Sequence, residues 1–180
     1  DRFMGAGGGA GHSNLQCSAG SSGGNGGGIV IIKTNSLNFQ ASNLNLNSNG
    51  SSSLDSDVTK GNNRDKGCDA TGGGGAGGTI LIDATNVTGF IFNTNTNGGK
   101  AGDVYWVTTG VNGHGIGQGG GGSGGYIYYA NNPISTSNPS MMGGNHGWFY
   151  GSTQTPINYG ATNGQNGAYK THCEISFSSN

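Results

Sequence analysis

GGGGAGGTILIDATNV, residues 72–87, joins seven small residues to a run that starts at Thr79 and carries apolar side chains in alternation. Alternation with period two, in β-branched and aromatic residues, predicts a strand. The same arrangement occurs twice more: SGGNGGG before IVIIKTNSLNF (Ser22 to Phe39), and GGGGSGG before YIYYANNPI (Gly119 to Ile134). The strand starts Ile29, Thr79 and Tyr126 are therefore spaced by 50 and 47 residues. In the first two units a second alternating run follows, with Leu44 and Leu46 in one and Ile91 and Phe92 in the other. Each run ends in a turn signal, Asn49-Gly50 or Asn97-Gly98-Gly99. Internal repetition at this period points to a repeat architecture. The units span about 22–71, 72–118 and 119–170, with Gly143 to Asn166 read as loops and Thr171 to Phe177 as a closing strand.

Glycine tracts before strands have a physical use. A β-carbon would hold neighbouring backbones apart, and its absence lets them pack closely. Packed glycine runs can adopt an extended helix of the polyproline II type, which has no internal hydrogen bonds and must bond to neighbours. Three tracts in one chain supply those neighbours. Ala76 and Ser123 stand at the same aligned place, two residues before the last glycine of their tracts, so that place faces outward or fills a small gap. The expected fold is all-β with negligible helix, as a glycine-rich parallel β-helix-like or polyglycine-II-stacked repeat. Offsetting the first two units by 50 residues sets Val30 beside Ile80, Ile32 beside Ile82, Leu37 beside Val87 and Lys33 beside Asp83. A one-residue slip would turn every inward side chain outward, so burial fixes this register.

Composition narrows the function classes. Gly, Asn, Ser and Thr make up more than half of the 180 residues, and charged residues are 8% against roughly 25% in an average domain. Only 7 Lys+Arg and a net charge of −1 remove the electrostatic footprint of a nucleic-acid binder. The longest apolar run, Ile29 to Ile32, is four residues, far short of a membrane-spanning helix. Asp1 in place of an initiator Met reads as a mature product or a piece of a longer chain.

The ordered set GAGGGAGH (Gly5 to His12), GGNGGGIVIIKTNSL (Gly23 to Leu37), GGGGAGGTILIDATNV (Gly72 to Val87), GGGGSGGYIYY (Gly119 to Tyr129) and YGATNGQNG (Tyr159 to Gly167) resembles a known module. It is similar to the glycine-rich repeat module of large cell-surface adhesin and filament proteins of gliding bacteria, exported by the type IX secretion route. In style, though not in words, it also resembles the glycine-rich domain of anaplastic lymphoma kinase-type receptors. The first resemblance covers roughly residues 1–170 and implies no catalytic residue. The C-terminal sorting domain expected of such cargo is not in this chain.

Sites of chemistry are few. Cys17, Cys68 and Cys173 fit no zinc spacing. Cys17 and Cys68 lie 12 and 11 residues before their strands and form the preferred disulfide pair; three free thiols are the alternative. His12, His114, His146 and His172 show no metal spacing. Asp55, Asp57 and Asp65 lie in an oxygen-rich loop that could cage calcium, or a solvated loop. No cofactor is expected. Asp55 and Asp57 lack the apolar wall a catalytic carboxylate pair needs, and no tract is followed by the Lys of a phosphate-binding loop. Tyr126, Tyr128, Trp148, Phe149 and Tyr150 could contact a sugar or protein, or cap the open end of the stack. Asn49-Gly50-Ser51 and Asn86-Val87-Thr88 are glycosylation sequons, and chance matches are expected in an Asn-rich chain. The reading is a non-enzymatic structural or adhesive module of an extracellular surface protein. It would self-associate as a homo-oligomer or filament, or with other modules of its own chain. The alternative is a carbohydrate- or receptor-binding module using the aromatic cluster.

Overall fold

The alternating runs become strands. The structure is a computed structural model and describes residues 4–12, 21–40, 44–56, 70–105, 117–130, 137–151 and 156–172. β1 (Ile29–Phe39), β3 (Thr79–Gly89), β6 (Tyr126–Tyr129) and β9 (Ala168–Thr171) form a sheet in the order β1-β3-β6-β9. β2 (Asn45–Asn47), β4 (Phe92–Asn95) and β7 (Ser137–Ser140) form a second, and β5 (Val104–Tyr105) pairs with β8 (Phe149–Tyr150). All these pairings are parallel, the sheets are open, and the described residues contain no helix.

The expected register is the one observed. Ile29, Thr79 and Tyr126 lie side by side, as do Val30, Ile80 and Ile127, then Ile32, Ile82 and Tyr129. Ile80, Ile82, Ile127 and Tyr129 form the core with Ala84, Phe39 and Phe92, whose rings stack at 4.0 Å. Val30, Leu37 and Val87 pack against them from the first sheet and Leu46 from the second. Tyr129 resolves its buried hydroxyl against Thr94 Oγ1 at 3.1 Å. Lys33 meets Asp83 at 3.7 Å. Along the second sheet the Asn93 amide donates to Asn45 and the Asn138 amide to Asn93. These Asn ladders repeat the backbone pairing in side chains.

The glycine tracts do pack together, and their hydrogen bonds recur every third residue. Eight extended segments can be followed: first 4–12, second 21–28, third 48–56, fourth 70–78, fifth 96–103, sixth 117–125, seventh 141–147 and eighth 160–167. Gly5, Gly8 and Gly11 donate N–H to the carbonyls of Gly27, Gly24 and Ser21, each at 2.8 Å. Gly50, Ser53 and Ser56 donate likewise to Asn97, Lys100 and Asp103. The second, fourth, sixth and eighth segments run parallel in one layer, through pairs such as Gly24 to Gly73, Gly74 to Gly120 and Gly121 to Thr162. The third, fifth and seventh form an antiparallel layer beneath, through Gly75 to Ser51, Gly122 to Gly99 and Gly144 to Gly122. The first segment lies on the opposite side of the upper layer, antiparallel to the second and fourth.

Close approach explains the glycines. A Cβ on Gly72, Gly75 or Gly78 would overlap the second segment, and one on Gly74 or Gly77 would overlap the fifth. The remaining column, Gly73 and Ala76, is half-buried and overlaps no segment outright; a Cβ on Gly73 would meet the Gly120 carbonyl oxygen at 3.2 Å. Its counterpart Ser123 is exposed, so the aligned place faces outward at Ser123 and sits half-covered at Ala76.

Two readings of the tail are corrected. The span 119–170 holds two units, because the eighth segment feeds β9, a fourth strand beside β6. Only Ala161, Gly164 and Gly167 turn inward there, so a tract need not be glycine-rich. Gly143 to Asn166 carries two packed segments and β8 rather than loops alone. The closing strand expected at Thr171 starts at Ala168, and residues 173–180 lie outside the described residues.

Candidate functional site

Opposed chain directions separate the two aromatic groups. The sixth segment runs into Tyr126 and the seventh into Trp148, while Gly144 and Gly147 of the seventh bond back to Gly122 and Gly119. The tyrosines of β6 and the Trp148-Phe149-Tyr150 run therefore sit at opposite ends of the glycine layers. They are two surfaces rather than one cluster.

At the first end Tyr126 and Tyr128 share a strand face, with ring centroids 6.2 Å apart. Tyr126 is exposed and Tyr128 half-buried. Their neighbour Tyr129 belongs to the core.

The second end is richer. Alternation along β8 turns Trp148 and Tyr150 to one side and Phe149 to the other. Phe149 is buried, packed edge-on against Tyr159 at 5.5 Å, so it is withdrawn from the surface aromatics that could touch a ligand. Tyr150 lies beside Tyr105 on the paired strand, with rings stacked at 4.9 Å and 9°. Trp148 is 37% exposed and takes the His146 ring edge-on at 4.5 Å. His146 Nδ1 is 2.7 Å from the Gly147 carbonyl oxygen. The result is a short aromatic ledge of Tyr105, Tyr150 and Trp148.

A charged cluster fixes that ledge. Asp103 is buried; its Oδ1 accepts the Trp148 backbone N–H at 2.9 Å and its Oδ2 holds Lys100 Nζ at 2.6 Å. Its own N–H donates to Asp55 Oδ1 at 2.7 Å, and the Tyr105 N–H donates to Ser56 Oγ. Burial works to lower the Lys100 pKa, but the Asp103 hydrogen bond and the charges of Asp103 and Asp55 outweigh it and raise it. Burial, then the same two carboxylates, raises the Tyr105 hydroxyl.

Lys100, Asp103 and Tyr105 were not singled out from sequence, and His146 was weighed only as a metal ligand. One signal could have found the first two. Asn45 with Asn93, Asn47 with Asn95, Ser52 with Lys100 and Asp55 with Asp103 all pair at a separation of 48 residues.

The other candidates are dispersed. Among the described residues no group of three His, Cys, Asp or Glu side chains could hold a metal. Asp55 is engaged with Asp103, while Asp57 and Asp65 of the calcium reading lie outside the described residues, as do His114, Cys17, Cys68 and Cys173. His12 is exposed, and His172 Nδ1 lies 3.2 Å from Thr171 Oγ1. Asn49 is exposed but its Oδ1 accepts the Asn97 N–H at 2.7 Å; Asn86 is exposed on β3 opposite Ser36. No family model, curated protein or solved structure matches this chain.

Proposed function

We propose that this chain is a non-catalytic structural and adhesive module of an extracellular surface protein or filament, built as a polyglycine-II-like stack that acts by self-association and surface contact. The observation that carries this reading is the hydrogen bonding of the glycine segments at every third residue, the repeat of a helix with three residues per turn. Such a stack is held by backbone pairing, which leaves the side chains free for display. Its energetics are those of neighbouring repeats rather than of one large core. Among the described residues both edges of the first sheet are open: β1 at one side, with Ile29 and Ile31 exposed, and β9 at the other. Open strand edges are templates for pairing with a further chain. Sedimentation velocity across protein concentrations, with electron microscopy of the concentrated sample, tests this. Concentration-dependent oligomers or fibres, reduced by Ile31→Lys on the β1 edge, are expected. A monomer at every concentration would overturn the reading.

The Tyr105, Tyr150 and Trp148 ledge favours a second reading, contact with carbohydrate. Aromatic faces with polar tips suit sugar rings, and the buried Asp103 anchors Trp148 through its backbone. A glycan array should show selective binding that Trp148→Ala removes. Binding that survives the substitution would place recognition elsewhere.

A further inference from the structure

Glycine fills the contact columns inside the layers and gives way to side chains at their outer sides. The strand starts Ile29, Thr79, Tyr126 and Ala168 are aligned, so equivalent places lie at equal distances before them. The places facing the preceding upper segment are Gly72, Gly75 and Gly78 in the fourth, Gly119, Gly122 and Gly125 in the sixth, and Ala161, Gly164 and Gly167 in the eighth. The second segment has no preceding upper neighbour among the described residues, and there the places hold Ser22, Asn25 and Gly28. The lower layer repeats this. Gly99 and Gly102 face the third segment and Gly144 and Gly147 the fifth, but the third itself carries Ser51 and Leu54 at those places. The places facing the following lower segment are Gly24 and Gly27, Gly74 and Gly77, Gly121 and Gly124, and then Asn163 and Asn166. Ser22, Asn25, Ser51, Leu54, Asn163 and Asn166 are all exposed.

Three of these side chains also accept hydrogen bonds that a backbone accepts elsewhere. Gly75, Gly122 and Gly164 donate to the carbonyls of Ser51, Gly99 and Gly144, each in the lower segment before them. Their counterpart Asn25 has no such segment among the described residues, and its N–H donates to Ser51 Oγ at 2.7 Å. In the lower layer Gly50 and Ser53 donate to the fifth segment, and Gly98 and Ala101 to the seventh. Their counterparts in the seventh, Gly143 and His146, donate to Asn166 Oδ1 and Asn163 Oδ1, each at 2.9 Å. An unpaired donor in a packed layer costs stability, and here a side chain supplies the acceptor in place of a further segment.

The upper layer is closed by bulk instead. The N–H groups of Asn163 and Asn166 donate to no described residue, and the carbonyls of Gly23 and Gly26 accept from none. Donation runs one way across the layer, from Gly24 to Gly73, Gly74 to Gly120 and Gly121 to Thr162. Continued into a second copy, it would bring Asn163 and Asn166 onto the carbonyls of Gly23 and Gly26. Ser22 and Asn25 obstruct that contact. A Cβ at Gly75 overlaps the Asn25 carbonyl and one at Gly122 overlaps the Gly75 carbonyl. The Cβ atoms of Ser22 and Asn25 would overlap the eighth segment of the neighbouring copy in the same way.

We propose that the glycine stack is finished by its own side chains. Ser51, Asn163 and Asn166 end the lower layer by holding the donors a further segment would take. Ser22 and Asn25 bar the eighth segment of a second copy from the outer side of the second. Side chains that block an exposed edge are a known guard against edge-to-edge growth. Copies that self-associate then join through surfaces other than the glycine layers, and the stack is closed whether or not they do.

Two measurements test this. Amide hydrogen exchange of the labelled protein reads the lower layer. Asn166→Ala should speed exchange at Gly143 at least about tenfold and leave His146 as it was, and Asn163→Ala should do the reverse. Equal effects on both amides, or none, would overturn the caps. Sedimentation velocity reads the upper layer. The Ser22→Gly, Asn25→Gly double variant should self-associate at least about tenfold more tightly than the unchanged chain. Its oligomers should be head-to-tail and of no fixed size, with the Asn163 and Asn166 amides slowing as concentration rises. Ser22→Ala, Asn25→Ala keeps both Cβ atoms and should match the unchanged chain. No gain in the glycine variant, an equal gain in the alanine variant, or a gain that leaves both amides fast would overturn the stop. A monomeric unchanged chain beside an associating glycine variant would overturn the self-association reading and support the closed stack.

Discussion

Gly75→Ala and Gly120→Ala are the same chemical change with opposite expected outcomes. At Gly75 a Cβ would fall well inside the 3.0 Å limit of real contacts, against the Asn25 carbonyl of the second segment. Relief requires the second and fourth segments to part by roughly 1 Å in a close-packed interior. The bonds from Gly24 to Gly73 at 2.9 Å and Gly27 to Ala76 at 2.8 Å would then stretch past useful length. Two such bonds, with their buried groups left unpaired, cost about 2–4 kcal/mol. The alanine also stiffens the unfolded chain, which returns about 0.4–1 kcal/mol. A net loss of about 1–3.5 kcal/mol follows, or roughly 2–14 °C in melting temperature. At Gly120 only the second effect operates, so the variant should be neutral or up to about 1 kcal/mol more stable. Urea denaturation followed by circular dichroism measures both. Equal effects at the two positions would refute the packing argument.

Lys33→Ala should cost about 0.2–1 kcal/mol at low salt and almost nothing in 1 M salt, because the Lys33 side chain is 59% exposed and such pairs are screened; denaturation at both salt levels checks it. Thr96→Val should be neutral or stabilising by up to about 1 kcal/mol, since the buried Thr96 hydroxyl has no hydrogen-bond partner among the described residues; a loss above about 1 kcal/mol would reveal a partner for it. Stability should fall at alkaline pH. Lys100 and Tyr105 both have raised pKa values, so their contribution is complete below the unfolded values near 10 and is lost as pH climbs through the folded ones. The urea midpoint should stay flat from about pH 7 to 9 and decline above about 10, with a shallower decline in the Lys100→Met, Tyr105→Phe double variant. An unchanged alkaline slope in that variant would contradict the assignment.

Strand starts and register were legible because apolar alternation and burial point the same way at Val30, Ile32, Ile80 and Ile82. The fourth unit was not legible, because an edge segment needs a small residue only where it faces its neighbours. Thr162, Asn163, Gln165 and Asn166 are exposed, so their identities carry little record of the packing. The returning segments hid for a related reason: the 48–56 stretch is mostly Ser and turns Gly50, Ser53 and Ser56 inward. The site was half visible. Trp148 and Tyr150 were marked by type, but the antiparallel layers that carry them away from Tyr126 leave no local trace. Asp103 and Lys100 became meaningful only beside Asp55, across the 48-residue separation.

Amide hydrogen exchange, resolved residue by residue, tests the glycine stack most directly. In the fourth segment every N–H from Gly73 to Gly78 donates to a neighbour, and all six should be protected. In the first segment only Gly5, Gly8 and Gly11 donate to described residues, and in the eighth Gly164 and Gly167 bond inward to the seventh. Slow exchange should therefore recur at every third residue of these outer segments, with fast exchange between. Uniformly fast exchange through the tracts, or protection alternating with a period of two, would contradict the account.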